Sequence, residues 1–134
     1  MNIKNCHNIE DFRGMAKSRI PSPLFHYIDG GSDDELTLKR NTKAFNEYFL
    51  VPNGLADVSN VDLSTKILGQ KVDSPLFLAP TGMSRLFHHD GERATSLAAE
   101  KFGSYFSLST LSSVSIEEIG NLTKSPKMFQ IYIH

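Results

Sequence analysis

Asn8 precedes Ile9, Phe12, Met15 and Ala16, an apolar set at helical spacing, and Glu10 and Asp11 sit where carboxylates complement the positive end of a helix. The spacing predicts a helix over 9–18. Pro21 and Pro23 stand at helix-entry positions, and Leu24, Phe25, Tyr27 and Ile28 form a second short helix stopped by Gly30 and Gly31. Asp33, Asp34 and Glu35 then open a third helix to about Asn46, with Leu36, Leu38 and Ala44 among its apolar members.

From Tyr48 the pattern changes. Phe49, Leu50 and Val51 give way to Pro52, Asn53 and Gly54, and a polar stretch runs to Asn60. Segments 64–68 and 71–72, parted by Gly69 and Gln70, predict a short hairpin. The apolar run Pro75 to Ala79, bounded by Pro80, suits a buried strand. Between Glu92 and Phe102, Ala94, Ala98 and Phe102 recur at i, i+4 and i+8 with Leu97 beside them. That stripe predicts an amphipathic helix, with Gly103 as its stop. Residues 105–109 read as a second strand, Ser115 to Glu118 as a capping box opening a helix that ends near Leu122, and residues 128–133 as a third strand. Ser74-Pro75 and Ser125-Pro126 introduce the first and third strands alike. The order β-α-β-α-β argues for parallel strands with helices packed outside.

Composition narrows the class without naming a function. The chain has 134 residues, 40% of them apolar and 22% charged, which is globular usage and not that of a disordered segment. Its 14 Lys and Arg against 15 Asp and Glu give a net charge of −1 with no basic run, so nothing invites nucleic acid. The single cysteine, Cys6, forms no internal disulfide and fits a reducing cytoplasm. No apolar stretch has the length of a signal peptide core or of a membrane span. The expected location is cytoplasmic, with peripheral attachment to the inner membrane left open.

Parallel β/α arrays present ligand chemistry at the C-terminal ends of their strands. The first strand ends in Ala79-Pro80-Thr81-Gly82-Met83 and the second in Ser109-Thr110. The third carries Gln130 and Tyr132 two apart, hence on one face. Gly82 permits close backbone approach, and the hydroxyls and amide suit a flat polar heterocycle. No Gly-x-Gly-x-x-Gly or Walker-type loop occurs, so these three loops do not hold a cofactor phosphate.

These residues resemble a known family, the FMN-dependent α-hydroxy-acid dehydrogenases and oxidases, among them glycolate oxidase, flavin-type L-lactate dehydrogenase and mandelate dehydrogenase. The resemblance runs through PLFHYIDGGSDD (23–34), NTKAFNEYFLVP (41–52), Leu68-Gly69, PLFLAPTGM (75–83), DGERA (90–94), LSTLSS (108–113) and FQIYI (129–133). Each segment is weak alone; the ordered series is specific. The resemblance implies the N-terminal part of a (β/α)8 TIM barrel, an α/β fold, here incomplete. Residues 1–47 are its helical prelude, 48–74 a linker and hairpin, and 75–134 its strands one to three.

It further implies FMN as cofactor, with the Pro80-Thr81-Gly82 backbone against the ring near N5 and Ser109 and Gln130 bonding the ring's polar edge. Tyr27 and Tyr132 match the family's two substrate-side tyrosines. The implied reaction is oxidation of an L-2-hydroxy acid, L-lactate-like, to the 2-oxo acid by hydride transfer to flavin, with a carbanion route as the alternative. The electron acceptor, whether quinone, cytochrome or oxygen, is left open, and the full-length protein is expected to be a homo-oligomer. The family's base, its carboxylate-binding arginine and its flavin-side lysine belong to later strands, so no catalytic residue is assigned within the chain and the base is expected beyond His134. His26, His88, His89 and His134 are not substituted for it, and no metal site is assigned. Gly82 stands where many oxidases of the family carry alanine, and Leu111 where several carry an aromatic residue; the glycine favours a dehydrogenase.

Read without the resemblance, Tyr27 is a core aromatic, Tyr132 and Gln130 are interior barrel positions, Ser109 and Thr110 cap a strand end, and Gly82 is a turn glycine. The competing function is a catalytically inactive fragment or an association module that pairs its third strand with another barrel piece. Length bears on both readings, because a complete (β/α)8 barrel takes about 250 residues.

Overall fold

The computed structural model describes residues 3–133, divided into one unit ending at Ala56 and a second beginning at Asp57. In the first unit, the Asn8 side chain accepts a hydrogen bond from the Asp11 amide at 2.8 Å and opens α1 (Ile9–Arg19). That is the predicted cap, and the helix runs one residue longer than expected. Helix α2 (Ser22–Asp29) follows, with Pro21 before it and Pro23 in its first turn. Its end at Gly30 is extended, not left-handed. Arg13 joins the two helices, its Nε and Nη2 donating to the Asp29 carboxylate at 2.5 and 2.8 Å. The guanidinium holds Asp29 below its ordinary value.

The third helix departs from expectation. Asp33 and Glu35 adopt left-handed backbone angles and stand before the helix, and α3 spans only Leu36–Lys43. Glu35 Oε1 instead accepts from the Gly31 amide at 3.1 Å, folding the acidic trio back on the preceding turn. A 3-10 turn over Ala44–Glu47 finishes the segment. Met15 and Phe25 are the buried apolar residues of this unit among those described.

The second unit opens with the expected hairpin, but its turn falls at Leu68-Gly69 and not at the expected Gly69-Gln70. Strands β1 (Thr65–Ile67) and β2 (Gln70–Val72) pair antiparallel, and Leu68 and Gly69 both take positive φ, as a tight two-residue hairpin turn requires. Strands β3 (Phe77–Leu78), β4 (Tyr105–Leu108) and β5 (Lys127–Phe129) then form a parallel sheet in the order β3-β4-β5. Helices α4 (Glu92–Lys101) and α5 (Ile116–Leu122) make the crossovers. Every residue of the central strand β4 is buried, and Phe106 and Leu108 join Ala99, Val114 and Ile119 in one core cluster. The described residues thus form a small α/β unit with no closed barrel, and β3 and β5 each have one unpaired edge.

Capping follows the sequence closely. Ser115 accepts from the Glu118 amide at 3.2 Å, while the Glu118 carboxylate turns to Arg93 on α4. Gly103 ends α4 with φ +60°, and a side chain there would collide with Asp73, whose amide donates to the Gly103 carbonyl at 2.9 Å.

Three expectations fail in this unit. The run 75–79 was expected to be a buried strand, but only Phe77–Leu78 forms β3, and at the edge of the sheet Phe77 is 51% and Leu78 38% exposed. The stripe of Ala94, Leu97, Ala98 and Phe102 does not face the core: Leu97 is 46% and Phe102 68% exposed. Glu92, Ser96 and Ala99 are buried instead, at i, i+4 and i+7. Ser96 earns its place by sharing a buried 3.0 Å hydrogen bond with Thr123. The third strand ends at Phe129, not Ile133, because side chains replace the ladder beyond it. The Gln130 amide still donates to the Leu108 carbonyl at 2.9 Å, but the Thr110 hydroxyl then takes both the Gln130 carbonyl and, at 3.3 Å, the Tyr132 amide.

Candidate cofactor-binding site

The ends of β3, β4 and β5 lie side by side, and side chains just past β4 and β5 are bonded to one another. Ser109, buried just past β4, donates its hydroxyl to Gln130 Oε1 at 3.3 Å and accepts from the Leu111 amide at 3.1 Å. Gln130 Oε1 also accepts from the Thr110 amide at 3.3 Å. These bonds use the oxygen of the Gln130 carboxamide, and its nitrogen has two further hydrogens to donate. Gly82 belongs to the same group: a methyl built on it would stand 3.0 Å from Leu111 Cβ and 3.6 Å from Ser109 Oγ. The glycine therefore lets the loops after β3 and β4 touch, and the Met83 amide donates across the contact to the Leu111 carbonyl at 2.8 Å. Pro80 and Thr81 are exposed at the rim, with the Thr81 hydroxyl turned back to the Ala79 carbonyl at 3.4 Å.

Of the expected site residues, Pro80, Thr81, Gly82, Ser109 and Gln130 thus gather at one end of one sheet. Tyr132 lies beyond β5, where the strand had been expected to carry it on one face with Gln130; it is 56% exposed and its amide is tied to Thr110. Tyr27 stands on α2 of the first unit, 63% exposed. His88 and His89 are exposed beside Asp90, with His89 Nε2 3.3 Å from its carboxylate, as expected of a solvated loop. His134 lies outside the described residues.

One residue of the site was not singled out from the sequence. Glu92, the first residue of α4, is only 2% exposed. Its Oε1 accepts from the amides of Ser84 and Ser113 at 3.2 and 3.0 Å, and its Oε2 from the Ser113 hydroxyl at 2.7 Å. Burial pushes the carboxyl upward, but these hydrogen bonds outweigh it and hold Glu92 below the ordinary glutamate value. The available signal was its place inside the DGERA segment, directly after a loop glycine.

A family model described as FMN-dependent dehydrogenase matches residues 16–134. The chain belongs to this family. An L-lactate dehydrogenase of Vibrio parahaemolyticus is 43% identical over 123 residues, 92% of this chain and 32% of that protein. Glycolate oxidase 1 of Oryza sativa subsp. indica is 35% identical over 127 residues, 95% of this chain and 34% of that protein. Among solved structures, a soluble mutant of the membrane-associated (S)-mandelate dehydrogenase from Pseudomonas putida superimposes with a TM-score of 0.90 at 36% identity, covering 96% of this chain and 37% of that one. The chain spans about a third of the length of the curated relatives it matches.

The family is FMN-dependent, and the strand-end residues fit a flavin ring. A hydroxyl and a carboxamide converge from adjacent strand ends, next to a backbone stretch that carries no bulky side chain at Gly82. That is a donor and acceptor set matched to the polar edge of a flat heterocycle. No described helix is long and apolar enough to cross a membrane.

Proposed function

We propose that residues 1–134 are the N-terminal portion of an FMN-dependent L-2-hydroxy-acid dehydrogenase, with β3, β4 and β5 as the first three strands of a (β/α)8 barrel. The observation that carries this reading is the hydrogen-bonded Ser109, Leu111 and Gln130, with Gly82 packed against Leu111, at the carboxyl ends of three parallel strands. Segment 1–47 serves as the helical prelude, 48–74 as linker and hairpin, and 75–134 as the barrel portion. Pro80, Thr81 and Gly82 lie against the ring, Ser109 and Gln130 bond its polar edge, and Tyr27 and Tyr132 orient the carboxylate and hydroxyl of the substrate. Two phenols suit that task because they bond a small anionic acid without the grip of a salt bridge. When bound, FMN supplies the two-electron acceptor for oxidation of the hydroxy acid to the 2-oxo acid. The base, the carboxylate-binding arginine and the flavin-side lysine lie outside residues 1–134.

L-Lactate is the proposed substrate, supported by the Vibrio relative. Glycine at 82 supports a dehydrogenase over an oxygen-using oxidase. A cytoplasmic location is supported by the lone Cys6. The complete protein is proposed to be a homo-oligomer, its acceptor a quinone or cytochrome. By itself the chain is proposed to be inactive.

The test replaces the matching N-terminal third of the Vibrio enzyme with residues 1–134. The graft is expected to carry a bound-flavin absorption spectrum that bleaches with L-lactate and recovers faster with a quinone or dye than with oxygen. A folded graft without flavin overturns the reading, and faster recovery with oxygen overturns the dehydrogenase assignment. The unpaired edges of β3 and β5 favour a second reading, an association module that adds a strand from another barrel piece. The free chain then stays colourless with FMN but forms a stoichiometric complex with the separately made remainder of the barrel.

A further inference from the structure

Four hydrogen bonds described above tie the loop after β3 to the loop after β4 and to the start of α4, and Glu92 accepts three of them. Ser84 and Ser113, from different loops, donate their amides to the same Glu92 oxygen, and the Ser113 hydroxyl donates to the other. The fourth is direct, from the Met83 amide to the Leu111 carbonyl. A fifth extends the set: the Ser113 hydroxyl accepts from the Arg85 amide at 3.1 Å. The two residues after Gly82 are thus held in turn, Met83 by the Leu111 carbonyl and Ser84 by a buried carboxylate.

We infer that Glu92 is a positioning residue: its carboxylate sets the spacing between the loop bearing Pro80, Thr81 and Gly82 and the loop bearing Ser109 and Leu111. The consequence for cofactor binding rests on the flavin reading of those loops; the clamp itself does not.

Chemistry explains why the residue is a glutamate. Three donors converge on it, and an ionised carboxylate is the one common side chain that offers only acceptors. Glutamine keeps the shape but turns an NH2 group toward a donor. A buried charge is costly unless fully bonded, and an apolar residue would anchor α4 to the sheet with less desolvation. What an apolar residue cannot do is bond two loops at once. A simple helix cap would serve α4 alone, whereas each of these donors belongs to another segment. The charged groups around Glu92 are Arg93 on α4, bound to Glu118 of α5, with Asp90 and Arg85 in the preceding loop.

The test uses the 134-residue chain and reads backbone amides by NMR. In the unmutated protein, the Ser84 and Ser113 amide shifts are expected to titrate with the Glu92 carboxyl, at one midpoint below 4.5. Because the folded protein holds this carboxyl below its ordinary value, the bonds are intact above that value and lost as pH falls through the folded one. Glu118→Gln removes the other low-titrating carboxyl nearby and is expected to leave that midpoint in place. At neutral pH, Glu92→Gln is expected to speed amide exchange at Ser84 and Ser113 by about tenfold, with Leu108 and Ile119 unchanged, and Glu92→Asp to restore part of the protection. Amides at 84 and 113 that ignore the Glu92 titration overturn the inference even if the variant does not fold.

Cofactor binding is read separately, in the graft on the Vibrio enzyme, by quenching of FMN fluorescence. A roughly tenfold weaker affinity in Glu92→Gln supports the positioning role. Loosened loops with unchanged FMN affinity overturn it. If the unmutated graft folds but does not bind FMN, the flavin reading of these loops fails, and the amide titration still decides the clamp.

Discussion

Along β4, Tyr105, Phe106, Ser107 and Leu108 are all buried, while α2 buries Phe25 and leaves Tyr27 and Ile28 exposed. Both segments are rich in apolar residues, so composition does not separate them. The difference lies in how each gets covered. A central parallel strand is flanked by two others and by the helices of its own crossovers, all supplied within a few dozen residues. A short helix exposes most of its circumference and depends on packing from elsewhere. The second unit therefore owns a core cluster, and the first holds its helices by the Asn8 cap, an exposed ion pair and the buried Met15 and Phe25. A local chain segment acquires tertiary stability early when its topology brings its own cover.

The largest test of this contrast is Ile119→Ala, at the centre of the core cluster. It is expected to cost about 2–5 kcal/mol in urea unfolding followed by circular dichroism. Met15→Ala in the first unit is expected to cost clearly less, and equal costs would erase the distinction. Ser96→Ala comes next, because it strands the buried Thr123 hydroxyl; about 1–3 kcal/mol is expected, and Ser96→Ala with Thr123→Val together should recover part of it. Asn8→Ala and Ser115→Ala each remove one helix cap and are expected to cost about 1 kcal/mol. The first is expected to lower helix content without moving the core amides, the second to loosen α5 as well. Arg13→Gln is the smallest: melting temperature is expected to shift only at low salt, and a shift that survives 1 M salt would mean that the first unit is held by more than an exposed ion pair.

What could be read from sequence follows the same divide. The Asn8 and Ser115 caps, the hairpin to within one residue of its turn, and the stop at Gly103 depend on a few adjacent residues, and the structure has them in place. The inward face of α4 could not be read by counting apolar positions. Its buried stripe is a carboxylate, a hydroxyl and an alanine: the two polar groups are satisfied by partners one loop or more than twenty residues away, and Ala99 packs in the core cluster. The acidic trio at 33–35 misled for a related reason: carboxylates suit a helix start, but Glu35 found the Gly31 amide instead. At the site, the strand-end positions were visible because parallel sheets present their carboxyl ends to ligands. Glu92 was not, since a charged residue at a helix start normally faces water.

Thr110 carries out, with a side chain, work that elsewhere in the sheet belongs to the main chain: its hydroxyl holds both the Gln130 carbonyl and the Tyr132 amide. A rung made by peptide groups is the same for every amino acid but proline, so most point mutations leave it alone. This one is written in a single codon. Selection can thus adjust the path of the chain at Tyr132 by exchanging one residue in the loop after β4, without touching the tyrosine.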